Sequence, residues 1–146
     1  MSAPASNNEN TLYNAFQTAF QTALNNYKNK DNPYGLHFLC KESFEYHGQV
    51  CHPDFIIQSR GKSACVIVNA KNCYTDLGTG EVEKLCRDMR GAEKNGYGNC
   101  ALGVLYCHDN TQVSSRVLAE ANQHNILLHR ESLTVLRNRI NKTFYD

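Results

Sequence analysis

The residue types best suited to chemistry fall in two short segments, His52-Pro53-Asp54-Phe55-Ile56-Ile57 and Val66-Ile67-Val68-Asn69-Ala70-Lys71-Asn72. Both are rich in β-formers, and Ser59-Arg60-Gly61-Lys62-Ser63 between them is a turn signal, so together they predict a hairpin. Asp54 then stands where one strand begins. Asn69 and Lys71 stand two apart near the end of the next, on one face. Antiparallel pairing brings that face beside Asp54, so a carboxylate, a second oxygen ligand and an ammonium converge at one sheet edge. Phosphodiester hydrolysis uses such a set. Hard Mg²⁺ or Mn²⁺ takes oxygen ligands, polarises the phosphate and activates water, while a lysine orients that water or stabilises developing charge. Each residue also has an ordinary reading: Asp54 as a strand-start residue after proline, Asn69 as a turn former, Lys71 as a solvated strand end.

The remaining elements must position these residues. Asn10 or Thr11 can cap a helix running to about Tyr27, with Leu12, Phe16, Ala19, Phe20, Ala23 and Tyr27 in one apolar stripe. Lys28-Asn29-Lys30-Asp31-Asn32-Pro33 ends it. Leu36 to Phe44 reads as a first strand and Gly48 as a turn. After the hairpin, Thr79 caps a second helix with Val82, Leu85, Cys86 and Met89 inward and Gly96 as its stop. Cys100 to Cys107 is an apolar strand, buried on both faces. Ser114 or Ser115 caps a third helix carrying Val117, Leu118 and Ala121. Ile126 to His129 is a short strand, and Glu131 to about Phe144 is a closing helix with Leu133, Leu136 and Ile140 inward. The order α-β-β-β-α-β-α-β-α predicts an α/β protein with a mixed central sheet flanked by helices. Residues 1–10 read as a disordered tail and 11–146 as one domain.

On these residues the chain resembles the PD-(D/E)XK, or restriction-endonuclease-like, nuclease superfamily. Pro53-Asp54 matches its PD element, and Asn69-Ala70-Lys71 falls in its (D/E)XK slot. The element order over residues 10 to 107 matches that family's αβββαβ core, and the closing αβα resembles the tail of Mrr-like members. The resemblance implies a Mg²⁺- or Mn²⁺-dependent endonuclease acting on nucleic acid, DNA foremost, with Asp54, Asn69 and Lys71 catalytic. Asp54, Asn69 and the backbone carbonyl of Ala70 are the implied metal ligands. Nucleases of this fold often act as homodimers.

One departure stands out: the family's second acidic ligand is Asp or Glu, and here it is Asn69. Three explanations compete. The first is an inactivating replacement of aspartate, natural or engineered. The second is a migrated carboxylate, Glu81 or Glu83, from the following helix. The third is a module that keeps the fold, binds nucleic acid or a protein partner and never cleaves. The first is favoured. Glu9, Glu42 and Glu45 are weaker candidates for a completing acid.

Composition sets the outer limits. The net charge is +1, with 15 basic and 14 acidic side chains, so phosphate binding requires basic groups gathered on one face. Lys84, Arg87, Arg90 and Lys94 recur on the second helix at spacings of three and four, as a phosphate-tracking surface or a solvated face. Tyr97, between Gly96 and Gly98, could stack on a base, and His52 borders the PD element. The seven cysteines are odd in number, form no CxxC pair and sit partly in apolar runs. Reduced core thiols in a cytoplasmic or nuclear setting are expected rather than a zinc site, with no membrane association. A Cys-His hydrolase lacks a recognisable nucleophile context, and no glycine-rich nucleotide motif occurs.

Overall fold

In the computed structural model, residues 5–24, 35–71, 77–107 and 111–145 are described. The centre is a five-stranded mixed sheet in the order β1-β4-β5-β6-β7. Strands β1 (His37–Cys40), β4 (Phe55–Gln58) and β5 (Ala64–Lys71) pair antiparallel, whereas β5, β6 (Asn99–Cys107) and β7 (Ile126–His129) run parallel. Helices α1 (Ala5–Leu24) and α4 (Leu133–Tyr145) cover one face, and α2 (Thr79–Lys94) and α3 (Ser115–Gln123) the other. The two parallel connections each carry a helix, as that pairing requires.

Alternation along β5 sorts the core. Cys65 and Ile67 face α2 and α3 with Val82, Leu85, Val117 and Ala121. Val66, Val68 and Ala70 face α1 and α4 with Phe16, Phe20, Leu136 and Ile140. The β4–β5 turn is tied by Ser59, whose Oγ accepts from the backbone N–H of Ser63 at 3.1 Å and Ala64 at 3.0 Å.

Several expectations need correction. Helix α1 begins at Ala5, ahead of Asn10 or Thr11 and within the stretch read as a tail, since no Gly or Pro intervenes to stop it. Its expected last turn and the Lys28–Pro33 stop lie outside the described residues. The segment read as one strand from Leu36 to Phe44 divides: β1 ends at Cys40, Lys41 takes a left-handed φ of 58°, and Phe44 opens β2 (Phe44–Tyr46). Strand β2 pairs with β3 (Gln49–Cys51) across the turn at Gly48 to form a separate two-stranded sheet. Helix α2 is capped by Gly78 without a side-chain bond, not by Thr79. In α3 the Ser114 hydroxyl accepts from Val117 N–H as expected, but Leu118 is 38% exposed while Val117 and Ala121 are buried.

The small sheet lies against α2. Gly91 makes this approach possible: a Cβ there would meet the Phe44 ring at 2.7 Å. Arg87 donates to Gln49 Oε1, and Asn95 Nδ2 donates to the Glu45 carbonyl at 2.8 Å, so both strands of the hairpin are tied to the helix region. Among the described residues no helix is long and apolar enough to cross a membrane.

Candidate functional site

The hairpin register pairs Phe55 with Val68, which leaves Asp54 and Asn69 facing each other where the β4–β5 ladder opens. Each serves the other's strand. The Asn69 Oδ1 accepts from the Asp54 backbone N–H at 2.9 Å, and the Asp54 Oδ2 accepts from the Ala70 N–H at 2.8 Å. Two backbone donors that the ladder no longer pairs are thereby satisfied by side chains. The arrangement is a reciprocal clamp as well as a meeting of chemical groups.

Asn69 shares the α2-facing side of β5 with Ile67, and its Nδ2 donates to Asp88 Oδ2 at 3.1 Å. Asp88 is 2% exposed. Burial pushes its carboxyl above the usual range. The hydrogen bonds from Asn69 and Cys51 and the charges of Lys84 and Arg87 oppose that shift without cancelling it. Asp88 was absent from the sequence-derived set because Arg87 and Arg90 flank it in a charged stretch. Its position three residues after Leu85 is the signal that places it on the buried stripe.

The raised value fixes a sign. A carboxyl whose folded pKa exceeds its unfolded one contributes stability that is full below the unfolded value and is lost as pH rises through the folded value. Asp88→Asn, which keeps an acceptor for Asn69, is therefore expected to raise neutral-pH stability. It should also flatten the decline that sets in above the ordinary carboxylate range. Thermal melts of both chains across pH check this, and superimposable profiles would refute it.

Lys71 follows on the same face as Asn69, with its Nζ 3.7 Å from Glu81 Oε2 and both side chains 34% exposed. An exposed pair of that length is worth a few tenths of a kcal/mol, so Glu81 orients Lys71 only weakly. Ala70 is buried in register with Tyr106, and its N–H is held by Asp54. Glu83 is elsewhere, lining a cavity with Cys86, Arg87, Arg90 and His124. Lys84, Arg90 and Lys94 are exposed on α2, and Arg87 is half-buried against Gln49.

On its other side Asp54 borders a cleft of about 210 Å³ lined also by Tyr13, Lys41, Glu42, His52 and Pro53. Tyr13 stacks on Phe55 with ring centres 4.6 Å apart, and burial, then Cys40 and Asp54, push its phenol pKa up. It stands three residues before Phe16 and seven before Phe20, on the same face of α1, so helical spacing is the signal that could have found it. Glu42 and His52 do reach this cleft, whereas Glu9 is outside the side chains described. Tyr97 is tethered: its hydroxyl donates to Glu42 at 2.8 Å, its ring packs 5.3 Å from Phe44, and its pKa rises to about 12 through burial and Glu42. That ring is not a loose platform for a base.

A hard divalent ion takes six or more oxygens. The residues as they stand do not fit one. Among the described residues no group of three His, Cys, Asp or Glu is set to hold a metal, and the Asn69 amide oxygen already accepts from backbone. What the arrangement offers is two carboxylates, Asp54 and Asp88, joined by one amide, with an ammonium at the strand end.

No family model matches the sequence, and no curated protein matches it. A solved structure does: the crystal structure of the protein of unknown function AF1548 aligns with a TM-score of 0.54 at 16% identity, over 80% of this chain and 56% of that one. This chain thus spans little more than half of that protein, and the likeness is one of fold: a mixed α/β architecture with helices on both sides of a mixed sheet.

Proposed function

We propose that the chain has a restriction-endonuclease-like core and carries the phosphodiesterase centre of a metal-dependent nuclease, disarmed in this sequence by Asn69. Asp54, Asn69 and Lys71 occupy the positions that such chemistry uses. The observation that carries the reading is the Asn69–Asp88 contact of 3.1 Å. An amide there links two acids into a structural clamp, whereas an acid there would stand against a buried carboxyl and require a cation or a shared proton. In its present form the chain acts as a nucleic-acid-binding module. The exposed cations of α2 meet the phosphate backbone, because the helix starts beside Lys71 through Glu81. The hydrogen bonds already made by Asn69 favour binding without cleavage over a working enzyme.

The test is binding of labelled single-stranded and duplex DNA and RNA over a range of salt, with and without Mg²⁺ or Mn²⁺. The chain is expected to bind and not cut. Removing one phosphate contact, by Lys84→Gln or Lys94→Gln, should lower the slope of log affinity against log salt by about 0.9 on duplex DNA. Absence of binding to every nucleic acid at low salt would overturn the binding role. Metal-dependent cutting by the unaltered chain would overturn the disarming role of Asn69.

A further inference from the structure

A second group of reactive side chains lies on the far side of α2 from the Asp54 clamp. Cys86 on α2 and His124, directly after α3, bring Sγ and Nδ1 to 3.5 Å, and both are half-buried. They line a cavity of about 380 Å³, within the range of roughly 300–1,000 Å³ common for small-molecule sites. Arg87, Arg90 and Glu83 line it as well, with the Tyr46 and His47 rings, 4.1 Å apart, as its wall on the hairpin side. Two cations outnumber the one carboxylate.

The pair does not suit a structural zinc, which takes four ligands in closed tetrahedral sites. Among the described residues no third donor joins Cys86 and His124 with metal geometry. Nor is Cys86 one of the sealed core thiols. Cys51, Cys65 and Cys107 are buried, and the thiols of Cys65 and Cys107 bond to the Gly98 and Leu105 carbonyls. A half-buried thiol against an imidazole, in a cavity with a cationic rim, has the surroundings of a reactive one.

We propose that Cys86 is a thiolation site that exchanges with small anionic disulfides, with His124 as its base and Arg87 and Arg90 as receptors for the reagent's carboxylates. His124, in the tautomer protonated on Nε2, takes the Cys86 proton at Nδ1. The sulfur attacks one sulfur of the disulfide, and the S–S bond breaks with its electron pair on the departing sulfur. That sulfur leaves as a thiol after taking the proton from His124. Cys86 ends oxidised in a mixed disulfide, and half of the reagent ends reduced. The proposal uses none of Asp54, Asn69 and Lys71, and shares only Arg87 and Arg90 with the proposed phosphate surface of α2.

The full, reduced chain is treated at neutral pH with glutathione disulfide, which is anionic, and in parallel with cystamine, which is cationic. Adducts are mapped on peptides by mass spectrometry. Cys86 should react with glutathione disulfide ahead of the half-buried Cys40 and Cys100. His124→Gln should slow Cys86 with both reagents by about tenfold. The gain is bounded because a free thiol is already a few per cent thiolate near pH 7, and a weaker base is a weaker nucleophile. Arg90→Gln, at an exposed position that folding does not depend on, should slow glutathione disulfide alone, by about three- to fivefold, the worth of one exposed ion pair. Cys86 reacting no faster than Cys40 and Cys100 overturns the proposal. Equal slowing of both reagents by Arg90→Gln removes the anion receptor and overturns it in the form stated.

Discussion

Asn69→Asp is expected to make the chain bind Mg²⁺ or Mn²⁺ and cut nucleic acid. The exchange is nearly isosteric, so the new carboxylate can still accept from the Asp54 N–H. It loses the N–H that now reaches Asp88 Oδ2 at 3.1 Å. Two carboxyls at that distance cannot both ionise without a counter-charge. In the absence of metal the pair must share a proton, and the substituted chain should melt below the parent at neutral pH. With metal the pair and Asp54 become a cluster of acids at one sheet edge. Stability should then return by about 2.7 kcal/mol when the ion stands at a hundred times its dissociation constant. The parent chain should show no such response. Adding Lys71→Ala to the substituted chain should remove cleavage by on the order of 10²–10³-fold, as loss of a charge-stabilising group does, while leaving the metal-dependent melt in place. A substituted chain whose melt ignores both ions and which cuts neither DNA nor RNA would end the phosphodiesterase reading. The clamp between Asp54 and Asn69 would then be structural alone.

Phe16→Ala should cause the largest loss of stability. Phe16 is fully buried, its ring centre lies 4.1 Å from that of Phe20 and 4.6 Å from that of Phe55, and Phe38 and Tyr106 complete the cluster. Truncating such a ring loses both transfer energy and packing, about 3–5 kcal/mol. Against a typical total of roughly 5–15 kcal/mol that is a large share. The melting temperature should fall by roughly 10 °C or more. Because α1 also carries Tyr13 onto Phe55 beside Asp54, the same change should open the 210 Å³ cleft and raise amide exchange at Phe55. Leu118→Ala is the control. It removes a residue of similar apolar character from an exposed position on α3, and its cost should stay within about 0.5 kcal/mol. Equal losses for the two would mean that α1 is not anchored by this cluster.

The contrast between Phe16 and Leu118 shows where periodicity succeeds and where it fails. Phe16 and Phe20 repeat at helical spacing in a long helix, and the stripe alone puts them inside. Leu118 follows Val117 in a helix of nine residues, too short for the pattern to say which of two adjacent apolar residues faces the sheet. Similarly, the β4–β5 hairpin was legible because two runs of β-formers flank a turn of polar residues. The β2–β3 hairpin was hidden because the break that separates β1 from β2 is a left-handed lysine, Lys41, rather than a glycine or proline. The mixed sheet followed from element order. The position of the small sheet against α2 did not, since it depends on a glycine, Gly91, whose lack of a side chain matters only once Phe44 is known to press on it.

At the sites the division is similar. Local sequence determined that Asp54 stands at the entry to a strand, that Asn69 and Lys71 share a face of the next one, and that a hairpin sets Asp54 opposite Asn69, because strand alternation and turn chemistry are properties of neighbouring residues. Tertiary structure alone decided that Asn69 meets Asp88 and that Cys86 meets His124. The members of each pair belong to different elements, and only the packing of α2 against β5 and α3 brings them within hydrogen-bonding distance. A strand's own alternation says which way a side chain points. It cannot say what a helix many residues away will place in front of it.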